Sequence, residues 1–556
     1  MRILGLSKLS RDSAVALLDE RSILAALEEE KLTRLQEPSY VPRLAIARIF
    51  DHFHLKPSDL NAVAFAELPP SRSKQSATAH AALQQLRQLL GGHSILRFDH
   101  HLCHAASAFY LSPFEQSLIV TMDEDGDGNS ATLAVGQGKH IRVLRKFAFP
   151  HSLAWVYSRV TDLIGFQPHR EEHKTQWLSL DGQPVFQDVF VKMLRDGRRA
   201  LPRLDYTFFN RGLVKQWSFS AKFYRSTGLP SDRKQLSREQ RQALASSIQG
   251  ACAEVIYSIV EELRGKLGIR KVCLGGGLFQ NVVLVSSLER ALGLEEVFVP
   301  PAPGNAGTAL GAAYLAWHEL FNQPRIEPVS SVAWGPQFKR QDTKDVLENC
   351  KARYSLQNTD ARGLEAANDV LQAGKIVGWF QGATEFGPRA LGNRSLLASP
   401  WAPYVKENLN DYIKHREWFR PFAISVPEED YAQYFEASSQ CRFMNSLGWL
   451  RSCRSVLPES FLLPGQQVRL HIVERRSNPL FWGLLKRFGE QAPAPMLLNT
   501  SFNLFGEPLV VTPRDAVRSY FGSGIDALMI DHFVLSKAAM RMSSKVATGS
   551  AVGLSA

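Results

Sequence analysis

His100 and His104 stand four residues apart in the stretch Phe98-Asp99-His100-His101-Leu102-Cys103-His104-Ala105-Ala106-Ser107. On one helical turn their imidazoles share a face, and neutral imidazole nitrogen suits zinc, iron, nickel or cobalt. Asp123 follows the apolar run Ser117–Met122, which reads as a buried strand. A carboxylate at that strand's end can complete a two-histidine, one-carboxylate site with open coordination positions. The alternative for so short a pattern is a capped helix with two solvated histidines.

A second chemistry lies further along the chain. Gly275-Gly276-Gly277 follows a buried strand and offers backbone amides at a helix start, which suits phosphate, although a structural turn fits equally well. Gly304–Gly311 contributes similarly, with Asn305 toward the same cleft. Between Gly378 and Ser395 a strand delivers a glycine loop bearing Arg389 and Arg394. Lys414, Arg416 and Arg420 follow within one short stretch, and Leu497–Asn503 ends a strand in hydrogen-bonding side chains. Guanidinium forks bind phosphate or carboxylate bidentately at any working pH. Five cations beside small polar loop residues suit a nucleotide or an acyl phosphate, against the alternative of surface salt bridges.

The elements that must position these groups recur in two copies. Strands are expected at 2–7, 13–18 and 23–27, and again at 117–122, 130–135 and 141–144, each joined by tight polar turns. Duplication of a strand-turn-strand unit points to an α/β core of the actin-like kind, with ligands between the halves. Ser237 and Gln240 form a capping box for a long helix with an apolar stripe from Leu244 to Leu263, stopping near Gly265–Gly268. Residues 183–236 read as an insertion whose aromatics are available to stack on an acceptor. Residues 322–345 read as a linker to a second domain over 345–541, and the Ser/Ala/Gly-rich tail 542–556 as disordered.

With 45% hydrophobic and 21% charged residues among 556, the chain has the composition of an ordinary globular protein of several domains. No apolar run reaches the roughly 18 residues of a membrane span. The opening reads as a strand, and the six cysteines are scattered without a CxxC pair, so reduced thiols and a cytoplasmic location are expected. The net charge of +11 attracts anions: nucleic acid, an anionic surface or phosphorylated substrates. The basic residues are dispersed, without the aromatic interleaving of single-strand binders.

Read together, HHxxHAASAF, GGGxxxN, PGxAGxALGAA, EFGPRALGNRS, REWFRPFA and LLNTSFNxxGEP resemble the carbamoyltransferase family of nodulation-factor and antibiotic O-carbamoylation, in the family's order over nearly the whole chain. The resemblance implies an actin-like (ASKHA, duplicated ribonuclease-H-like) domain over 1–325 and an α/β C-terminal domain similar to threonylcarbamoyl-AMP synthases. It implies carbamoyl phosphate and ATP as substrates, a carbamoyl-adenylate intermediate, and transfer to a hydroxyl of a small-molecule acceptor such as a sugar or natural product. It further implies a divalent metal, Fe2+ first, then Zn2+, Mn2+ or Mg2+, on His100, His104, Asp123 and Asn305. Gly276, Asn281, Arg389, Arg394, Arg420, Asn499 and Ser501 would bind nucleotide or carbamoyl donor, with Lys414 and Arg416 catalytic. Neither nucleic acid nor membrane is expected as a partner, and a homodimer is the default.

The chain also departs from the family pattern. Asn305 stands where the family has aspartate. Arg11-Asp12-Ser13 replaces a His-Asp-Ser/Ala motif, leaving Asp12 as the candidate to orient the acceptor hydroxyl. Glu171-Glu172-His173-Lys174 replaces Gly-Glu-Tyr-Lys, and Leu462–Gly465 replaces His-x-Asp-Gly. Two other readings stand beside the leading one: a tRNA threonylcarbamoyl-type transferase, and a non-catalytic actin-like binding protein.

Overall fold

The computed structural model describes residues 1–9, 12–20, 22–36, 41–68, 77–195, 202–210, 218–451 and 456–537. Arg11 and the tail 542–556 lie outside them. The first sheet comprises β1 (Ile3–Leu6), β2 (Ala14–Leu18), β3 (Ile23–Glu28), β4 (Ala62–Phe65) and β5 (Ile95–Arg97) in the order β3-β2-β1-β4-β5. β1, β2 and β3 form an antiparallel meander, while β4 and β5 add in parallel. β6 (Gln116–Gly126), β7 (Asn129–Gln137) and β8 (His140–Ala148) build a second meander, which Val272–Gly275 and Val297–Phe298 extend in parallel. The two sheets share one order and one pattern of directions. The expected duplication of a ribonuclease-H-like unit is therefore present in the topology.

Two helices separate the sheets, His100–Tyr110 and Thr308–Leu315. Their Ala- and Gly-rich sequences are needed because they are buried on all sides: Ala105, Ala106, Ala108, Ala309, Ala312 and Ala313 share one core with Ile3, Ala16, Ile119 and Cys273. On the outer face of the first sheet lies Arg43–Phe53. On that of the second lie Leu153–Leu163, Val282–Leu292 and the long helix Arg238–Leu267. The long helix starts on the Ser237–Gln240 capping box and ends on left-handed Gly268 (φ 69°). Among the described residues it is the one helix long and apolar enough to cross a membrane, and 67% of that apolar window is buried in this core.

The insertion differs from expectation. Phe190, Phe208, Phe209, Phe219 and Phe223 do not face a cleft. They are buried in the second-sheet core, with ring centroids 4.2 Å apart for Phe219–Phe223 and 5.7 Å for Phe209–Phe219. Burial of each ring is worth about 2–3 kcal/mol, so these aromatics hold the insertion onto the domain.

After the second half the chain runs without regular structure to the helix Arg340–Asn349. This stretch is docked: Arg325 donates to the carbonyls of Phe109, Ser112 and Phe114, and Val329 and Val332 are buried. The C-terminal part is α/β, built on an eight-stranded mixed sheet with Val377–Phe380, Arg394–Ala398 and Leu497–Ser501 at its centre. The five described cysteines are all free thiols.

Candidate active site

The histidine helix is pinned at its start. Asp99 caps it, accepting from the Leu102 amide at 2.9 Å and from Lys146 at 2.8 Å, and Asp127 accepts from the His100 amide at 2.9 Å. His100 and His104 then face β6, where Asp123 sits in the bulged register after Met122. His100 Nε2 and His104 Nε2 are 3.1 Å apart and lie 3.3 and 3.1 Å from Asp123 Oδ2. These three are the one His/Cys/Asp/Glu group among the described residues with metal-ligand spacing, and both histidines are buried. His101 points elsewhere: its Nδ1 accepts from Thr121 Oγ1 and its Nε2 donates to the Asn129 carbonyl.

The other nitrogen of each candidate ligand faces a backbone carbonyl. His100 Nδ1 is 3.4 Å from Ala66 O, and the Pro303 carbonyl accepts from His104. Carbonyls only accept, so the protons lie on that side and both Nε2 lone pairs face Asp123. An ionised carboxylate and two imidazole lone pairs within 3.3 Å of one another repel unless a cation lies among them. The donor set therefore fits a divalent metal. Asn305 heads the short turn after Pro303, and its Oδ1 is buried with no partner, as a fourth neutral donor would be.

Gly276 and Asn281 are both tied into the framework. Gly276 has φ 102°, donates its amide to Pro303 O at 2.8 Å, and a Cβ there would lie 2.1 Å from Met122 O. Asn281 caps the helix Val282–Leu292, accepting from the Leu284 amide, and exchanges both amide hydrogen bonds with Gln249. Its oxygen thus accepts two of these bonds and one of its two amide N–H groups donates the third, tying the side chain to the helix cap. Asp12 lies in the turn after β1 with left-handed φ 51°, and its carbonyl accepts from Ser7 Oγ.

The loop between Val377–Phe380 and Arg394–Ala398 divides the two predicted arginines. Glu385 Oε1 gathers the amides of Leu391, Asn393 and Arg394 at 2.7–3.1 Å. Arg394 is wholly buried and donates to the carbonyls of Gln381, Gly382 and Asn393, with its guanidinium 3.6 Å from the Phe380 ring centre. It is thus an organiser of the loop and not, as expected, a cofactor contact. The loop docks on the N-terminal half through the buried Glu28–Lys31 pair: Lys31 donates to the Glu385 and Gly387 carbonyls, and Glu28 accepts from the Gly387 amide at 2.6 Å. Arg389 is left reaching across to Gln280 O at 3.2 Å.

Arg389, Arg416, Arg420 and Lys414 gather beside Leu497–Ser501. Burial, then Arg420, pushes Arg389 down to about 10 and Arg416 to about 9; burial, then Arg416 and Arg420, holds Lys414 well below the usual lysine range. Lys414 donates to Asn503 Oδ1 at 2.7 Å and to the Ser501 carbonyl, and Arg416 donates to Thr500 Oγ1 at 2.8 Å. Asn499 is buried, its Nδ2 on Ser425 Oγ and its Oδ1 without a partner. Ser501 Oγ donates to Asn503 Oδ1. Glu417 balances little of this charge, being shared by Lys174 and Arg420. Crowded, desolvated guanidiniums with depressed pKa values are the electrostatics of an anion site.

Two neighbours were absent from the predicted set. Arg469 is strongly depressed by burial and by Arg389, Arg416 and Arg420, and its guanidinium carbon lies 5.6 Å from the centre of Trp177 in the N-terminal half. Its one signal in sequence is a charge inside the otherwise apolar strand pattern Val468-Arg469-Leu470-His471-Ile472-Val473. His173 adjoins Arg420 and Arg389 from the other domain.

Comparison with known proteins gives concordant results. Residues 2–89 and 78–314 match the family model described as carbamoyltransferase N-terminus, and residues 368–537 match carbamoyltransferase C-terminus. An uncharacterized protein of Synechocystis is 30% identical over 97% of both chains. The nodulation protein NolNO of Sinorhizobium fredii is 31% identical, covering 95% of this chain and 79% of its own. The 3'-hydroxymethylcephem-O-carbamoyltransferase of Amycolatopsis lactamdurans is 25% identical over 94% and 97% respectively.

Proposed function

The chain belongs to the carbamoyltransferase family, and from that premise we propose that it carbamoylates a hydroxyl of a small-molecule acceptor, using carbamoyl phosphate and ATP. The observation that carries this reading is the cluster of the buried Lys414 with the half-buried Arg389, Arg416 and Arg420 against the domain that holds the His100–His104–Asp123 triad. One site suits a polyphosphate and an acyl phosphate; the other suits a Lewis acid.

The reaction balances in three steps. Water converts carbamoyl phosphate to carbamate and phosphate. A carbamate oxygen then attacks the α-phosphorus of ATP, forming a P–O bond as the bond to the β-phosphate breaks and pyrophosphate leaves. The acceptor oxygen finally attacks the carbamoyl carbon, loses its proton, and expels AMP. Arg389, Arg416 and Arg420 bind the phosphoryl oxygens and neutralise charge that grows during the second step. Lys414, its three donors held by the Ser501 and Asn503 carbonyls and by Asn503 Oδ1, supplies positive charge beside the same anion. Asn499 Oδ1 accepts from the carbamoyl or ribose portion, and Asp12 orients the acceptor hydroxyl.

A divalent metal, with Fe2+ as our assignment, would be held by His100, His104, Asp123 and the Asn305 amide oxygen, supplying Lewis-acid polarisation at the transfer site. The free thiols fit a reducing cytoplasm. The test is incubation of the metal-loaded protein with carbamoyl phosphate and ATP, followed by assay for AMP and pyrophosphate. Neither product from folded protein would overturn the activation step. Both products, with acceptors then screened by the mass of one added carbamoyl group, would support it.

A further inference from the structure

His173 carries a lone pair that the protein itself does not use. It lies in the first turn of the helix Glu172–Leu178, and its Nδ1 is 3.1 Å from the Arg170 carbonyl oxygen. Because that oxygen can only accept, Nδ1 holds the ring proton and Nε2 the lone pair. Nε2 is shut off from solvent and has no hydrogen-bond partner. Burial, with Arg420, Lys174 and Arg389 around it, pushes the imidazole down to about 3, so the lone pair stays bare at working pH. Across the domain seam, Arg389 and Arg469 each keep a buried Nε–H with no partner. Unmatched buried donors and acceptors each cost a folded protein free energy. A ligand that satisfies all three must offer anionic oxygen to the guanidiniums and an N–H or O–H to the imidazole.

We infer that His173 selects the carbamoyl donor by accepting a hydrogen bond from its NH2 group, while Arg389 and Arg469 take its anionic oxygens. The inference rests on the proposed use of carbamoyl phosphate. An acetyl group matches a carbamoyl group in size and replaces NH2 by methyl. The guanidiniums alone do not distinguish the two, whereas an imidazole lone pair does. The selecting group comes from one domain and the anion-binding groups from the other, so the pocket is complete only when the domains are docked.

The probes are phosphonoacetamide, a stable relative of carbamoyl phosphate, and 2-oxopropylphosphonate, its methyl ketone isostere. Binding of each to the full-length protein is measured by calorimetry beside inorganic phosphate. The wild type is expected to prefer the amide by roughly 10–100-fold. His173→Leu should bind both probes as the wild type binds the ketone and keep its phosphate affinity, and His173→Gln, which retains an acceptor, should recover much of the preference. Equal wild-type affinities, or a preference that survives in His173→Leu, would overturn the inference while leaving the donor reading intact. A wild type that binds neither probe nor phosphate would instead remove the donor reading. If the leucine variant loses phosphate binding as well, the glutamine variant decides: a preference restored with phosphate binding supports the inference, and no preference overturns it.

Discussion

Arg389 and Arg394 lie five positions apart on one loop, and their surroundings separate what substitution should do at each. Arg394 is buried among backbone carbonyls and donates to those of Gln381, Gly382 and Asn393. Lysine there brings a point charge without the fork, so Arg394→Lys should lose about 3 kcal/mol or more of stability in urea unfolding. Arg389 makes one backbone contact and suffers repulsion from Arg420. Arg389→Gln should leave the unfolding midpoint unchanged or raised, and weaken pyrophosphate binding roughly 10–100-fold. Equal losses of stability at both positions would refute the division. The metal triad allows a similar contrast. Asp123→Asn removes the one carboxylate and should lower metal affinity at least about tenfold, whereas Asn305→Asp adds a charge and should raise it by a similar factor. Metal content after dialysis against a graded chelator reads both.

At the scale of elements, the interval between the two sheets is set by close backbone approach. A Cβ at Gly311 would stand 1.8 Å from the Cys103 carbonyl oxygen of the facing helix, so Gly311→Ala must push apart the helices that carry the histidines and the Asn305 turn. We expect a loss of about 3 kcal/mol, with weakened metal retention. Gly363→Ala, inside the helix Asp360–Gln372 with open space at its Cβ, should instead gain about 0.5–1 kcal/mol. Thermal unfolding of the two variants should move in opposite directions. Features governed by local pattern were readable in the sequence: the apolar runs of β1, β2 and β6, the Ser237–Gln240 box, and the four-residue histidine spacing. Features governed by docking were not. Asn281 caps a helix as well as it could touch a nucleotide, because the same side-chain oxygen serves both. Phe190, Phe208, Phe209, Phe219 and Phe223 could equally have stacked on an acceptor, until their packing in the second-sheet core decided otherwise. Arg469 escaped notice because its partners, Arg389 and Arg416, come from segments 50 or more residues away, and only the folded sheet brings them together.

For the whole molecule, the seam between the two halves holds a titratable group buried in the docked state. Glu289, on the helix Val282–Leu292, has no exposed surface and accepts from Ser438 Oγ at 2.7 Å, with Ser446 beside it. The same seam carries Gln440 on the Val299 amide and Asn445 on the Val299 and Pro300 carbonyls, directly before the loop that supports His104. Burial pushes the Glu289 carboxyl up to about 8; the two serines offset part of this, and Glu295 adds repulsion. Arg290, next along the helix, is paired with Glu436. On undocking or unfolding the carboxyl returns to near 4.5. Between those two values the native state binds one proton more than the open state, so stability falls as pH rises through the window and levels off above about 8. The full effect is about 5 kcal/mol at most. Glu289→Gln is neutral in both states and removes this slope. The melting temperatures of variant and wild type should lie close together near pH 4.5, and the variant should melt a few degrees higher by pH 8. Parallel curves across that range would mean that Glu289 does not retain its proton in the seam. Diverging curves would make alkaline pH a means of loosening the domain contact on which both candidate sites depend.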